Sequence, residues 1–435
     1  MDVRAVADLS PDERRAVFER DAGIDDIEGD VAEIVERVRT EGDVALREFA
    51  EEFDETTVGS LDVTDAAERA YDEIDAGLRE AIETAAENIR EFHERQLPED
   101  WREDFDGREL GRRYRPIDRV GAYVPGGAAA YPSSALMTVI PAKVAGVETV
   151  AVATPPADEI NPATLAALHV AGSDEVYQVG GAQAVAALAY GTESVSRVQK
   201  VVGPGNRWVT AAKAAIRNDC AIDFLAGPSE VCVLADGTAD PEFVAADLIA
   251  QAEHDANASA VAVTADEELA EAVAAAVEAG IEGERAETIR EALESDASGV
   301  FLARSMPEAV LFCEEYAAEH LSIQADEDEA LLDRISSAGS AFLGPYSPVA
   351  AGDYAAGPNH VLPTGGGARI TGGLSVETFL RSTTVQRLSA DALDDIGETV
   401  ETLARAEGLD AHAESVAVRL RERESDVEDD ERLRE

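Results

Sequence analysis

Residues 149–191 read TVAVATPPADEINPATLAALHVAGSDEVYQVGGAQAVAALAYG. The β-branched run TVAVAT gives way to NPATLAALHVAG, whose Ala/Leu texture is helical. EVYQVG returns to strand texture and GAQAVAALAYG to helix. Strands alternating with helices of this length argue for parallel βαβ units. The alternation extends outward on both sides. VGAYV at 120–124 precedes the helical SSALMTVIPAKVAG, and VQKVVG at 198–203 precedes NRWVTAAKAAIRND. A second series runs EVCVLAD, DPEFVAADLIAQAEHD, SAVAVTAD, GVFLAR and SAFLG between residues 230 and 344. Two α/β lobes in tandem leave a crevice, and open parallel sheets hold ligands beyond the carboxyl ends of their strands. Residues 30–95 carry apolar positions at helical spacing, as in DVAEIVERVRTEGDVALREFAEEF. From Gly344 to about Arg369 the chain is rich in Gly and Pro, which reads as a long functional loop. Helices are expected near 375–420, and the tail RERESDVEDDERLRE as a solvated, frayed end.

A chain of 435 residues suggests two or three domains. Its 90 Asp and Glu face only 36 Lys and Arg, a formal charge of -54 that repels nucleic acid and anionic lipid. The carboxylates are dispersed among apolar positions, not gathered in blocks, so the surface is acidic while the chain still folds. Such a surface suits the cytosol of a cell that keeps high internal salt. Lys143, Lys200 and Lys213 are the lysines; every other cation is Arg. Cys220, Cys232 and Cys313 form no CxxC and indicate neither a disulfide framework nor a structural zinc cluster. Cys232, inside EVCVLA, reads as a small core residue. The N-terminus has no apolar signal core, and no stretch approaches about 18 uninterrupted apolar residues, so a cytoplasmic protein is expected.

Histidine is scarce: His93, His169, His254, His320, His360 and His412. His93 and His169 lie in helical patterns without polar company and read as structural. Gln251 and His254 are three apart at a helix end, a spacing that lets both reach one ion. The plainer reading of that pair is a helix end whose imidazole meets the terminal carbonyls. Asp353 lies in the loop GDYAAGPNH with His360 seven residues on, and His412 follows Glu407 by five. Together these residues would make a mixed N/O site suited to zinc. Each alone is more often a loop or cap residue. Glu319–His320, read as ending a helix, places two proton carriers side by side, pointing about 100° apart. VGGAQA and VVGPGN follow strands and open helices, which suits phosphate or ribose contact, yet neither is GxGxxG. On the residues alone, a zinc hydrolase with Glu319 activating water and a non-catalytic metal-binding protein stay open.

Taken together, VGAYVPGG, MTVIPAKVAG, QVGGAQAVAALAYGT, VVGPGN, DFLAGPSE, DLIAQAEH, AAEHL, GDYAAGPNHVLPTGG, GGLSVETFL and EGLDAHAESVAVR resemble histidinol dehydrogenases, in the family's order. The resemblance covers most of residues 30–420 and includes Gly and polar positions. It implies an α/β fold of two incomplete Rossmann-like lobes with parallel-rich sheets, plus small helical N- and C-terminal segments. The implied partition is an arm at 1–22, a first lobe from 23–122 with 229–375, a second lobe at 123–228, and a helical segment at 376–435. The implied reaction is the oxidation of L-histidinol to L-histidine through the aldehyde, with two NAD. A related dehydrogenase of another small alcohol is the nearest alternative. The resemblance further implies zinc on Gln251, His254, Asp353 and His412, and catalysis by Glu319 and His320. NAD would meet Tyr123, Gln183 and Asn206. Substrate would meet Ser229, His360 and Glu407, along with His320 and the zinc ligands. A homodimer with exchanged terminal segments would bring His412 and Glu407 to the partner's site.

The charge alone generates a first prediction. Raising KCl from about 0.1 M to about 1 M shortens the Debye length from about 10 Å to about 3 Å, which relieves self-repulsion. The thermal midpoint, followed by circular dichroism, is therefore expected to rise steadily over that range. A midpoint that stays flat or falls would contradict the salt-adapted reading.

Overall fold

The computed structural model describes residues 1–20, 23–127 and 129–432. They form two compact units, Met1–Leu97 with Ile117–Phe379 and Pro98–Pro116 with Leu380–Glu435.

Within the first unit the described strands make two sheets, each parallel throughout. One has the spatial order Glu175–Gln178, Thr149–Thr154, Arg119–Tyr123, Lys200–Val202, Ala221–Ile222. Counted along the chain that order is 3-2-1-4-5, the doubly wound arrangement without its sixth strand. The other sheet repeats it with Gly299–Leu302, Ser259–Thr264, Glu230–Ala235, His320–Gln324 and Ser340–Leu343. The short strand Val3–Ala5 is added outside Gly299–Leu302. The two incomplete lobes expected from the resemblance are therefore present.

Local chemistry explains the elements. Strand Thr149–Thr154 is buried from its second residue on, so both faces must be apolar and the alternation of a half-exposed strand is absent. Helix Pro162–Ala171 starts where Asn161 Oδ1 accepts the N–H of Ala163, with Pro at the first turn. It stops at Gly172, whose φ of +85° suits the left-handed cap. The amphipathic helices Glu28–Glu41 and Asp43–Phe53 bury Val31, Ile34, Val38, Leu46 and Phe49 in one core with the second-lobe residues Ala151, Tyr177, Val185 and Val209.

At the point where the second lobe's strand order reverses, the VVGPGN turn passes very close to strand Arg119–Tyr123. A Cβ on Gly203, where φ is +107°, would lie 2.2 Å from the carbonyl oxygen of Tyr123. The turn is held from beneath by buried charges. Lys213 Nζ lies 2.5 Å from Asp223 Oδ1 and donates to the Gly203 carbonyl at 2.9 Å. The Gly203 N–H donates to Asp223 Oδ2 at 2.8 Å. The other two lysines are also engaged, Lys143 with Asp174 and Lys200 with the Thr378 carbonyl, although Lys143 is partly exposed.

Beyond residue 340 the structure departs from the sequence reading in three places. The helices expected near 375–420 are preceded by a nine-residue strand, Leu380–Leu388, paired antiparallel with Arg108–Pro116 along its whole length. Trp101–Phe105 completes that ribbon. LRSTTVQRL carries no apolar stripe because most of its side chains stay exposed; the ladder to its partner, not burial, makes it a strand. The loop expected from Gly344 to Arg369 contains a short helix, Val349–Tyr354. The tail is helical to Arg432, and residues 433–435 lie outside the described residues.

Gly203→Ala is expected to lower stability by about 2–4 kcal/mol, combining a strained φ with a backbone clash. Denaturant unfolding at fixed KCl measures it; a loss within error of zero would mean that the turn gives way freely.

Candidate active site

The second lobe presents its residues at strand carboxyl ends. Tyr123 closes strand Arg119–Tyr123, is 3% exposed, and its hydroxyl accepts the N–H of Gly181 at 3.1 Å. Burial pushes that phenol up to about 12. Gln183 is buried in the first turn of helix Gly181–Tyr190. Asn206 caps helix Arg207–Ile216, its Oδ1 accepting from Trp208 at 3.0 Å and Val209 at 3.3 Å. All three flank the reversal of strand order, where such sheets take a nucleotide.

The first lobe does the opposite. Helix Met306–Tyr316 ends at Ala317, in the left-handed region at φ +52°, and His320 begins strand His320–Gln324. Glu319–His320 therefore sits at the amino end of a strand, not on a helix, and the side chains come together: His320 Nδ1 lies 3.6 Å from Glu319 Oε2. Both meet the peptide of Glu230, which opens the neighbouring strand. The Glu230 N–H donates to Glu319 Oε2 at 2.8 Å, and His320 Nδ1 lies 3.0 Å from the Glu230 carbonyl. The carboxyl-end placement expected for both lobes thus fails for the first. At the first sheet's carboxyl end the Asp236 N–H donates to the Gln324 carbonyl, and Asp326 N–H to Asp236 Oδ2, joining the ends of the two central strands.

Asp353 lies on helix Val349–Tyr354, with Oδ1 3.4 Å from His320 Nε2. Its carbonyl receives His360 Nδ1 at 2.9 Å, and His360 Nε2 is 3.2 Å from Ser134 Oγ. Ser134 begins the helix that follows strand Arg119–Tyr123. Asn359 reinforces the link by donating to the Met137 carbonyl at 2.6 Å. These bonds join the carboxyl end of one sheet to the amino end of the other. Ser229, half-buried, directly precedes Glu230, and its carbonyl accepts from Ser259 at 3.0 Å.

Charges within the cluster perturb one another. Burial raises the Glu319 carboxyl, against the pull of His320 and the Glu230 N–H. Burial pushes His320 down, but Glu319 and then Asp353 outweigh it and hold the imidazole above its ordinary range. Burial would raise Asp353; the bond and charge of His320, with His360 and His254 beyond, keep it below the usual carboxylate range. Burial holds His360 low.

Among the described residues, no three His, Cys, Asp or Glu side chains gather as a metal site. Gln251 supplies a donor outside those types. It is 3% exposed in the last turn of helix Pro241–Ala252, which packs against the Asp353 helix, and its amide Nε2 has no hydrogen-bond partner. Amide nitrogen and oxygen exchange by a flip, so an orphaned amide end is equally an oxygen free to ligate. With the imidazole of His254 and the carboxylate of Asp353, that is an N/O set fitting zinc. His254 is exposed, two residues beyond the helix. Glu407 and His412 belong to the second unit and are both exposed. His93 is fully buried with Nδ1 on the Ile89 carbonyl, and His169 packs on Tyr71; neither joins the cluster.

A family model described as histidinol dehydrogenase matches residues 18–420. The chain belongs to the histidinol dehydrogenase family. It is 74% identical to histidinol dehydrogenase of Haloarcula marismortui, over 97% of this chain and 100% of that one. It is 47% identical to the Methanocaldococcus jannaschii enzyme, over 97% and 99%. The crystal structure of histidinol dehydrogenase from Elizabethkingia anophelis superposes with a TM-score of 0.91 at 37% identity, covering 97% and 98%. As a member of this family the chain is an NAD-dependent oxidoreductase that converts histidinol to histidine in two oxidation steps of histidine biosynthesis.

The sequence reading missed Glu230, Arg20 and Ser134. A signal existed for the first: Glu230 is the carboxylate that opens the otherwise apolar EVCVLA, and a charge 2% exposed requires a partner. Ser134 and Arg20 carry no local signal, since His360 and Glu230, the side chains they meet, lie more than 200 residues away.

Glu319→Ala leaves the Glu230 N–H buried without an acceptor and is expected to cost about 1–3 kcal/mol of stability. Glu319→Gln keeps an oxygen there and should cost clearly less. Unfolding of both variants at one KCl concentration checks this, and equal losses would mean that the bond contributes nothing.

Proposed function

We propose that His320 is the base for the alcohol proton and that Glu319 activates the water added to the aldehyde. The observation that carries this reading is the fixed tautomer of His320. Its Nδ1 lies 3.0 Å from the Glu230 carbonyl, which can only accept, so a neutral ring carries its proton there and Nε2, facing Asp353 Oδ1 at 3.4 Å, is the nitrogen that takes up and gives back a proton. That nitrogen serves as base once its own proton has passed to a neighbour. Glu319, pushed up by burial and less than 4 Å away, can take or return a proton near neutral pH.

Gln251, His254, Asp353 and His412 would hold zinc, and Ser229, His360 and Glu407 would line the substrate with them. Zinc would orient histidinol by its imidazole and amine, and NAD would accept hydride. Tyr123, Gln183 and Asn206 would meet the dinucleotide at the second lobe's reversal point. His360, with both ring nitrogens engaged by the Asp353 carbonyl and Ser134, can orient a substrate but is poorly placed to carry its proton. His412 and Glu407, exposed in a separate unit, are read as completing a partner's site in a homodimer. Among the described residues no helix is long and apolar enough to cross a membrane, which agrees with a cytoplasmic enzyme.

The test is an assay in molar KCl with zinc, histidinol and NAD, following NADH. Two NADH per histidinol are expected. His320→Ala should lower turnover by roughly 10²–10⁴-fold while zinc content stays near normal; parallel loss of zinc would reassign it as a ligand. His412→Ala should instead lose zinc. Dimers mixing His320→Ala and His412→Ala chains should regain part of the activity if sites are shared, and none if they are not.

A further inference from the structure

We infer that Glu230, clamped by Arg20, is the positioning residue for Glu319 and His320, setting the one through its main-chain N–H and the other through its carbonyl. The inference rests on the reading of those two side chains as the proton carriers.

Strand Glu230–Ala235 pairs with strand His320–Gln324 from Val231 onward, His320 lying opposite Val231. The main-chain groups of Glu230 that meet Glu319 and His320 thus lie at the start of that ladder, while on its other side Glu230 pairs with Ser259. Further ties are on its side chain. Arg20 Nε lies 2.9 Å from Oε1 and Nη2 3.0 Å from Oε2, a two-pronged fork, and the Gly365 N–H donates to Oε1 at 2.7 Å. The side chains of Arg20 and Glu230 are 7% and 2% exposed.

Arg20 is itself fixed. Its Nη1 donates to the Val17 carbonyl at 2.5 Å and its Nη2 to the Tyr316 carbonyl at 2.8 Å. Its guanidinium lies 3.6 Å from the centre of the Tyr316 ring. Tyr316 ends the helix three residues before Glu319. One guanidinium therefore grips both the residue that supplies Glu319 with its hydrogen-bond donor and the helix end from which Glu319 hangs. It sets the distance between them.

Stability alone is a poor reason for such a pair. A buried ion pair can often be replaced by apolar groups of like volume without loss, because desolvation offsets the attraction. A fork that fixes an orientation has no apolar equivalent.

Arg20→Lys keeps the charge and removes the fork. In molar KCl it is expected to lower kcat roughly tenfold or more, for histidinol and for the aldehyde supplied directly, since small misplacement of reacting groups is costly. KM for histidinol, zinc per subunit and thermal midpoint should stay near the parent's. Unchanged kcat per folded enzyme overturns the inference. Should Arg20→Lys fail to fold, the paired variant Arg20→Met with Glu230→Met carries the test: folded but slow supports positioning, and parent-like turnover overturns it. Failure of both to fold, while His320→Ala folds, makes the clamp structural and likewise overturns it. His320→Ala run alongside separates the two levels. Turnover surviving there sinks the acid–base reading itself, whatever Arg20→Lys does.

Discussion

The main chain of one residue, Glu230, orders this site. The N–H of Glu230 faces Glu319 and its carbonyl faces His320, so two side chains adjacent in sequence are aimed by a third residue about 90 positions away. These main-chain groups stand at the start of the ladder between the two strands, and there they also meet the side chains of Glu319 and His320. A carbonyl can only accept, so it holds the Nδ1 proton of His320 without a separate orienting carboxylate. Asp353, which might have served as that orienter, instead faces the other nitrogen at 3.4 Å. Asp353 stands on a helix that packs against the helix carrying Gln251, whose amide is also unsatisfied.

The opposite polarity of the two sheets follows from this. In the second lobe the strands point their carboxyl ends at the site, as doubly wound sheets do with nucleotides. In the first lobe the strands begin at the site. Both have the order 3-2-1-4-5, so the difference lies in how each is used. Tyr123 and the VVGPGN turn mark the reversal point of one sheet. Glu230 and His320 mark the same two strand positions of the other, read at the far end. On the proposed reading a hydride acceptor and a proton acceptor approach one carbon from different directions, and two similar lobes joined carboxyl end to amino end would provide that. Ser134, His360 and Asn359 are the bonds that hold the joint.

Much of this was legible in the sequence, and the limits are physical. The βαβ alternation predicted both sheets because buried parallel strands such as TVAVAT are apolar on both faces. The strand LRSTTVQRL was hidden because it is exposed and polar, and only pairing with residues some 270 positions earlier makes it a strand. Glu319–His320 was found as a pair but misread as a helix end. The left-handed Ala317, which ends the helix early, is not a residue type that announces such a turn. His360 and Asp353 were read as site residues, yet that they meet through a ring nitrogen and a main-chain carbonyl has no trace in side-chain spacing. Arg20 was invisible altogether: nothing local marks one arginine among many as the buried one.

The acidic surface gives that arginine further meaning. In molar salt, ion pairs between exposed side chains are largely screened, whereas buried pairs are screened much less. The chain's many exposed pairs, such as Arg95 with Glu91, are therefore weak fasteners in the medium to which its composition is suited. Arg20–Glu230 and Lys213–Asp223, each under a tenth exposed, keep their strength there. One fixes the strand end that aims Glu319 and His320, and the other fixes the turn beside Tyr123. The structure thus separates two electrostatic tasks. A dispersed negative surface answers to salt, while two dry ion pairs hold the working ends of the two sheets and are shielded from it.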